Sequence, residues 1–121
     1  MSNDQGKKNE VTELDKAVAH IIVEIIEYVP NAVVSKTIIK KSTGNVTAMS
    51  FSEGEELGLK TIPFDTFIQI IDGSAEVTIE KKMHTLNLGT GIIIPAHCPH
   101  CFNANEQFKM ISTIIKSGYE D

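Results

Sequence analysis

Residues 89–100 read GTGIIIPAHCPH, and this stretch decides how the whole chain is interpreted. Three isoleucines follow two glycines and end at Pro95, a pattern typical of a short buried strand closed by a proline turn. Upstream, residues 75–80 alternate apolar and polar side chains directly after the turn signal Asp72-Gly73. A second turn then leads into a return strand over residues 83–88. The region therefore predicts a succession of short antiparallel strands.

The rest of the chain from residue 32 onward shows the same alternation of short strands and turns. Further strands are predicted over residues 33–41, 46–51, two short segments of 59–71 bent at Pro63, 100–103 and 108–115. So many short strands predict a closed β-barrel or a double-sheet jelly roll. Closure would hide strand edges that otherwise promote aggregation.

The N-terminal residues follow a different pattern. Apolar side chains recur at steps of three and four from Leu14 to Val29, which predicts one helix with a single apolar stripe. The many isoleucines lower helix propensity, so an extended conformation near residues 24–29 stays open. We therefore expect a disordered N-terminus over residues 1–11, a helix or extension over residues 12–30, and one barrel domain over residues 31–117.

The composition is that of one ordinary globular domain. The chain has 121 residues, of which 41% are hydrophobic, and this suffices for a single core. A net charge of -5 and the lack of arginine argue against a nucleic-acid partner. No apolar run approaches the ~18 residues of a membrane-spanning helix, and residues 1–8 lack the apolar core of a secretory signal. We therefore expect no membrane partner and a cytoplasmic protein, whose two cysteines fit a reducing compartment.

The spacing of several glycines, one proline and one histidine resembles that of small single-domain cupins, conserved β-barrel proteins of poorly defined function. The matching positions are Gly54 and Gly73 of the first cupin motif, and Gly89, Pro95 and His100 of the second. Fifteen residues separate the two motifs, as in small bacterial cupins. Over residues 32–115 the resemblance implies an all-β, cupin-type double-stranded β-helix, a jelly-roll barrel with an N-terminal helical extension. It also implies a homodimer, for which the apolar residues 21–29 would suit the interface.

The resemblance further implies a metal held by three histidines and one glutamate, and this sequence departs from that set. Lys60 and Ile62 stand at the first two histidine positions, and Thr66 or Phe67 stands at the glutamate position. Only His100 remains, whereas stable divalent binding usually takes three or more protein ligands. We therefore predict a degenerate or absent metal site, and no cofactor.

An alternative interpretation keeps a divalent metal on His100 and His97, with water or Asp65 completing its shell. Cys98 and Cys101 have the spacing of a zinc-binding or dithiol pair, but the sequence holds no second pair. On a strand, His100 and Cys101 would also point to opposite faces and could not share a site, so we favour two inert thiols.

We expect a small-ligand pocket inside the barrel, with apolar walls and a few polar groups. The predicted ligand-binding residues are Lys60, Thr66, Asp65, His97, His100 and Phe102. Further lining is expected from Ile62, Ile68 and Ile70, with Met110 or Ser112. Lys60 could hold an anion, lose its proton and act as a nucleophile, or reach out of the barrel mouth. Asp65 could pair with Lys60 or hold a turn.

These observations favour a cytoplasmic small-molecule-binding cupin, with a ligand such as a small organic or sugar acid. The first alternative is a metal-dependent isomerase, lyase or dioxygenase that uses His100 and His97. Whether the chain is an enzyme stays open, because Lys60 and His100 could also form an acid–base pair without a metal. The second alternative is a non-catalytic sensory or interaction module.

Overall fold

The computed structural model describes residues 12–119, which contain nine β-strands and a single turn of 3-10 helix. The strands are β1 (Val33–Lys41), β2 (Gly44–Phe51), β3 (Glu56–Lys60), β4 (Thr66–Gly73), β5 (Ala75–Ile79), β6 (Lys82–Leu86), β7 (Gly91–Ile94), β8 (His100–Asn103) and β9 (Phe108–Ile115), and the short helix is Ile22–Glu24. The predicted strands β1, β8 and β9 are confirmed at their predicted bounds, and the others differ by a few residues.

The strands form two antiparallel sheets, as the jelly-roll prediction requires. The first sheet has the order β1-β2-β9-β4-β7, and the second has the order β3-β8-β5-β6. Consecutive strands β4 and β5 lie in different sheets, so the chain crosses between them at Gly73. Gly73 has a φ of 70°, and a Cβ atom there would collide with the backbone carbonyl oxygen of Gln107. Only glycine fits this corner, which explains the turn signal at this point of the sequence.

The hydrophobic core lies between the inner faces of the two sheets. Phe51 and Phe108 stack with their ring centroids 4.4 Å apart, and Phe102 of the second sheet packs against Phe51 at 6.1 Å. Around these rings lie the buried aliphatic side chains Ile68, Ile70, Val77, Leu86, Ile94 and Met110. Because side chains alternate between the faces of a strand, each strand contributes every second residue to this layer. Each large apolar side chain buried there contributes about 1.5–3 kcal/mol, so this layer holds the two sheets together.

Residues 12–30 are expected from the sequence to form a helix or an extension, and the prediction of a helix there is wrong. The segment, here called the N-terminal strap, follows an irregular course with one helical turn at Ile22–Glu24. Apart from the two backbone hydrogen bonds of that turn, which run from Glu24 to Ile21 and from Ile25 to Ile22, the strap also bonds to the first sheet. The Leu14 amide donates to the Ile38 carbonyl at 3.2 Å, and the Ser50 hydroxyl donates to the Glu27 carbonyl at 2.8 Å.

Packing explains why the strap does not form a helix. Ile26 is only 7% exposed and belongs to a second apolar cluster with Ala48 and Ile111, on the outer face of the first sheet. The Lys109 ammonium donates to the Val23 carbonyl at 2.6 Å and thereby satisfies a backbone group that a helix would satisfy internally. These contacts outweigh the weak helix propensity of a β-branched segment.

The prediction of disorder over residues 1–11 lies outside the described residues. Within residues 12–119, the structure has no helix that is long and apolar enough to cross a membrane.

Candidate functional site

A small cavity of about 180 Å³ lies inside the jelly roll, between the inner faces of the two sheets. Its walls are supplied by Ser35, Thr47, Met49, Leu57, Lys60, Ile62, Thr66, Ile68, Ile94, His100, Phe102, Met110, Ser112 and Ile114. The cavity is smaller than the roughly 300–1,000 Å³ of pockets for drug-sized molecules, so it suits a small ligand. The predicted site residues Lys60, Thr66, His100 and Phe102 all line it.

The polar groups of the cavity come from opposite walls. Thr47 on β2 lies directly across from Ser112 on β9, so both hydroxyls face inward from the first sheet. Thr66 opens β4 and pairs with Ile114 on one side and Ile94 on the other. From the second sheet, Lys60 and His100 enter as directly opposed residues of β3 and β8, and aligned side chains of such pairs lie on one face.

His100 is the most enclosed titratable group of the site, with 2% of its surface exposed. Its Nδ1 lies 3.0 Å from the carbonyl oxygen of Cys98, and its ring meets the Phe102 ring edge-on, with centroids 6.0 Å apart. A carbonyl oxygen can only accept a hydrogen bond, so Nδ1 carries the proton that is donated to it. Nε2 is then the ring nitrogen left for a ligand, and in the neutral ring it is an acceptor.

Thr66 carries the clearest sign of a missing partner. Its side chain is 3% exposed, and its Oγ1 has no hydrogen-bond partner among residues 12–119. A buried hydroxyl without a partner costs about 1–3 kcal/mol. Buried polar groups in folded proteins are nearly always satisfied by protein, water or ligand. Thr66 therefore marks a point at which the cavity offers an unused hydrogen bond.

Lys60 lies at the rim of the cavity with its side chain exposed. The sequence also allowed a lysine enclosed in the barrel, and the exposed side chain does not fit that interpretation. The interpretation in which the lysine reaches out of the mouth fits its position. Lys60 is thus a cationic residue in the cavity lining, at the backbone position opposite His100.

The structure places Asp65 and His97 outside the cavity lining. The Asp65 carboxylate accepts a hydrogen bond from the Ala96 amide at 2.8 Å, and the Asp65 amide donates to the Tyr119 hydroxyl at 2.6 Å. This carboxylate therefore holds together the two loops before β4 and after β7. His97 is exposed and has a φ of 68°, in the left-handed region that favours glycine, and its amide donates to the Ile62 carbonyl at 2.7 Å.

The donor set does not fit the metal that the cupin resemblance implies. Within residues 12–119, no group of three or more His, Cys, Asp or Glu side chains is arranged to hold a metal ion. His100 faces the cavity, but His97 and Asp65 do not join it there. We therefore derive no chemistry through a metal at this site.

The two cysteines are free, half-buried thiols. Cys101 follows His100 in β8, so its side chain lies on the opposite face of the strand from the cavity. Loss of solvent around the Cys98 thiol, followed by its hydrogen bond to Glu80 and the charge of that carboxylate, raises the pKa of Cys98 above its ordinary value. A thiol with a raised pKa is a weak nucleophile and a weak metal ligand.

Several lining residues were not anticipated from the sequence, and one anticipated residue lies elsewhere. Ser35, Thr47 and Leu57 line the cavity, whereas Ile70 belongs to the core beyond it. The alternation of β1 and β2 contained the signal for both hydroxyls. Ser35 lies two residues after Val33, and Thr47 lies two residues before Met49, and both of these apolar side chains pack against the core. The sequence predicts Met110 or Ser112 in the lining, and both line the cavity.

Comparison with known proteins supports this architecture. No family model matches the chain, and no curated protein matches it. Among solved structures, the conserved SPY1581 protein of unknown function from Streptococcus pyogenes is 25% identical, with a TM-score of 0.82 over 88% of this chain and 94% of that one. A cupin superfamily protein from Desulfitobacterium hafniense is 22% identical, with a TM-score of 0.81 over 89% and 99% of the two chains. A cupin 2 conserved barrel domain protein from Leptotrichia buccalis is 30% identical, with a TM-score of 0.75 over 78% of this chain and 46% of that one.

Proposed function

From the premise that this chain is a small cupin domain, we propose that it is a cytoplasmic protein that binds a small organic acid inside the jelly roll. The observation that carries the proposal is the Thr66 hydroxyl, which is buried at the cavity wall without a partner among the described residues. A ligand oxygen would satisfy it, and the same ligand would reach His100 from the other sheet.

The chemistry of the walls supports an acid as the ligand. The chain as a whole carries a net charge of -5, yet the charged side chain at the cavity rim is the cation Lys60. Fully buried apolar side chains such as Ile68 and Met110 also line the cavity, where they would contact a short hydrocarbon skeleton. A carboxylate at the rim and a carbon chain inside would match both parts of the cavity.

The cytoplasmic part of the proposal is supported by the thiols. Cys98 and Cys101 are both free, although they are separated by only two residues. Free thiols on a small domain are typical of reducing compartments.

The proposal is tested by a thermal-shift screen of short hydroxy, oxo and sugar acids, followed by calorimetric titration of the acids that raise the melting temperature. Lys60→Met should weaken binding about tenfold, because it removes the cation at the rim. Lys82→Met is the matched control, since Lys82 is an exposed lysine of β6 outside the cavity lining. Equal loss in both variants, or no stabilisation by any acid, would contradict the proposal.

A second measurement separates binding from metal-dependent catalysis. Elemental analysis of the untagged protein, purified without chelators, should give divalent metal well below one equivalent per chain. Near-stoichiometric iron, zinc, nickel or manganese that is lost in His100→Ala would favour the metal-dependent enzyme instead.

A further inference from the structure

We propose that the cavity selects 2-hydroxy acids over the 2-oxo acids of the same carbon skeleton. This inference deepens the proposed function and rests on it. It follows from three features of the site: the hydrogen-bonding state of His100, its pairing with Lys60, and the free hydroxyl of Thr66.

The first feature is the proton on His100. Because Nδ1 donates to the Cys98 carbonyl at 3.0 Å, the neutral ring presents Nε2 to a ligand as an acceptor. An acceptor of this kind needs a ligand atom that carries a hydrogen. A ligand hydroxyl supplies one, whereas an oxo group supplies only lone pairs and would face the lone pair of Nε2.

The second feature is the pairing of Lys60 with His100. Lys60 and His100 are direct partners across β3 and β8, and Cα atoms of such partners lie roughly 4.5–5.5 Å apart. Their side chains therefore approach a ligand from neighbouring points of one wall. Side chains that begin this close together can contact a carboxylate and a hydroxyl on adjacent carbon atoms, so the proposed ligand is an acid with its hydroxyl at carbon 2.

The third feature is the Thr66 hydroxyl on the opposing sheet. It can donate a hydrogen bond to the oxygen of the ligand hydroxyl while that hydroxyl donates to His100. Both buried groups are then satisfied by one ligand oxygen. With a 2-oxo acid, Thr66 could still donate, but the oxo oxygen would offer no hydrogen to Nε2 of His100. A site built to bind a hydroxyl discriminates strongly against analogues that lack it.

The inference is tested by calorimetric titration at pH 8 of lactate against pyruvate, and of 2-hydroxybutyrate against 2-oxobutyrate. We expect the hydroxy acid of each pair to bind at least about tenfold more tightly, which corresponds to one lost hydrogen bond. His100→Gln, whose amide can donate as well as accept, should reduce this preference to about twofold or less. Nitrogen NMR of the wild-type protein should show the Nδ1-protonated tautomer of His100. This measurement does not depend on whether the His100→Gln variant folds.

Equal or tighter binding of the oxo acids, or an Nε2-protonated ring, would overturn the inference and leave the proposed function standing. The same holds if neither pair binds while other acids of the screen do. If no acid of the screen binds, the proposed function fails together with the inference.

Discussion

The hydroxyl group of Thr66 connects the stability of this domain to its proposed ligand. It is buried at the start of β4 and has no partner within the part of the chain that the structure describes. Its neighbours on both sides are isoleucines, Ile94 and Ile114, which offer no hydrogen bond. A core position that only had to pack would be better served by valine, which has the same shape.

We predict that Thr66→Val raises the free energy of unfolding by about 1 kcal/mol in the absence of ligand, because it removes an unsatisfied buried hydroxyl. The same change should weaken acid binding. Urea denaturation with and without a bound acid measures both effects. Thr47→Val is the control, since the Thr47 hydroxyl lies within 3.5 Å of the Asn45 side-chain oxygen and its removal should bring no gain. A loss of stability in Thr66→Val would contradict the account.

The Cys98 thiol gives a second prediction at this scale. Its pKa is raised, first by loss of solvent around the thiol and then by Glu80, so less thiolate is present at a given pH than for an ordinary cysteine. In a Cys101→Ser background, alkylation of Cys98 should therefore be slow at pH 8. Glu80→Gln should lower the pKa and speed alkylation several-fold, whereas Glu53→Gln on the exposed loop should not. Mass spectrometry over time measures the rates, and identical rates in all three proteins would disprove the assignment.

The resemblance to the cupin motifs predicted part of the candidate site. The spacing resemblance placed His100 and Thr66 at inward-facing positions, and both line the cavity. The positions of Asp65 and His97 could not be predicted in this way. They lie in loops whose course is set by contacts such as Asp65 with Ala96 and His97 with Ile62, and no local pattern encodes those contacts.

At the scale of elements, the strands were predictable and the N-terminal strap was not. Strands such as β5 carry a strict two-residue alternation bounded by turn residues, and that pattern has one structural meaning. The strap has apolar residues at steps of three and four, but many are isoleucines with low helix propensity. Whether such a segment forms a helix depends on the surface against which it packs. Here that surface is the outer face of the first sheet.

We predict that Ile26→Ala lowers the free energy of unfolding by about 2–5 kcal/mol, because Ile26 fills the apolar contact between the strap and the sheet. Ile21→Ala is the matched control. Its side chain is 64% exposed, so the change should stay within about 0.5 kcal/mol. Chemical denaturation measures both. Similar losses in the two variants would mean that the strap is not docked through Ile26.

At the scale of the whole molecule, the strap also leaves apolar side chains on the surface. Ile21, Ile22 and Val29 are each at least 44% exposed, although they lie in the segment from which a homodimer interface was predicted. Large exposed aliphatic side chains that cluster along one segment are typical of an interface.

We therefore predict that the protein is a homodimer whose interface includes the strap. Light scattering after gel filtration should give twice the mass of one chain. The double variant Ile21→Glu with Ile22→Glu should give one chain mass, whereas Leu88→Glu, an equally exposed position in another loop, should leave the dimer intact. A monomeric wild-type protein would contradict this prediction.

The central claim is that the jelly roll binds a small acid through Lys60, Thr66 and His100 without a metal ion. The most direct test is a calorimetric titration of chelator-treated protein, of measured metal content, with the acid that gives the largest thermal shift. The titration is then repeated after divalent metal is restored. The account predicts saturable binding to one site per chain, with the same affinity in both titrations. Binding that appears only after metal is restored would contradict it.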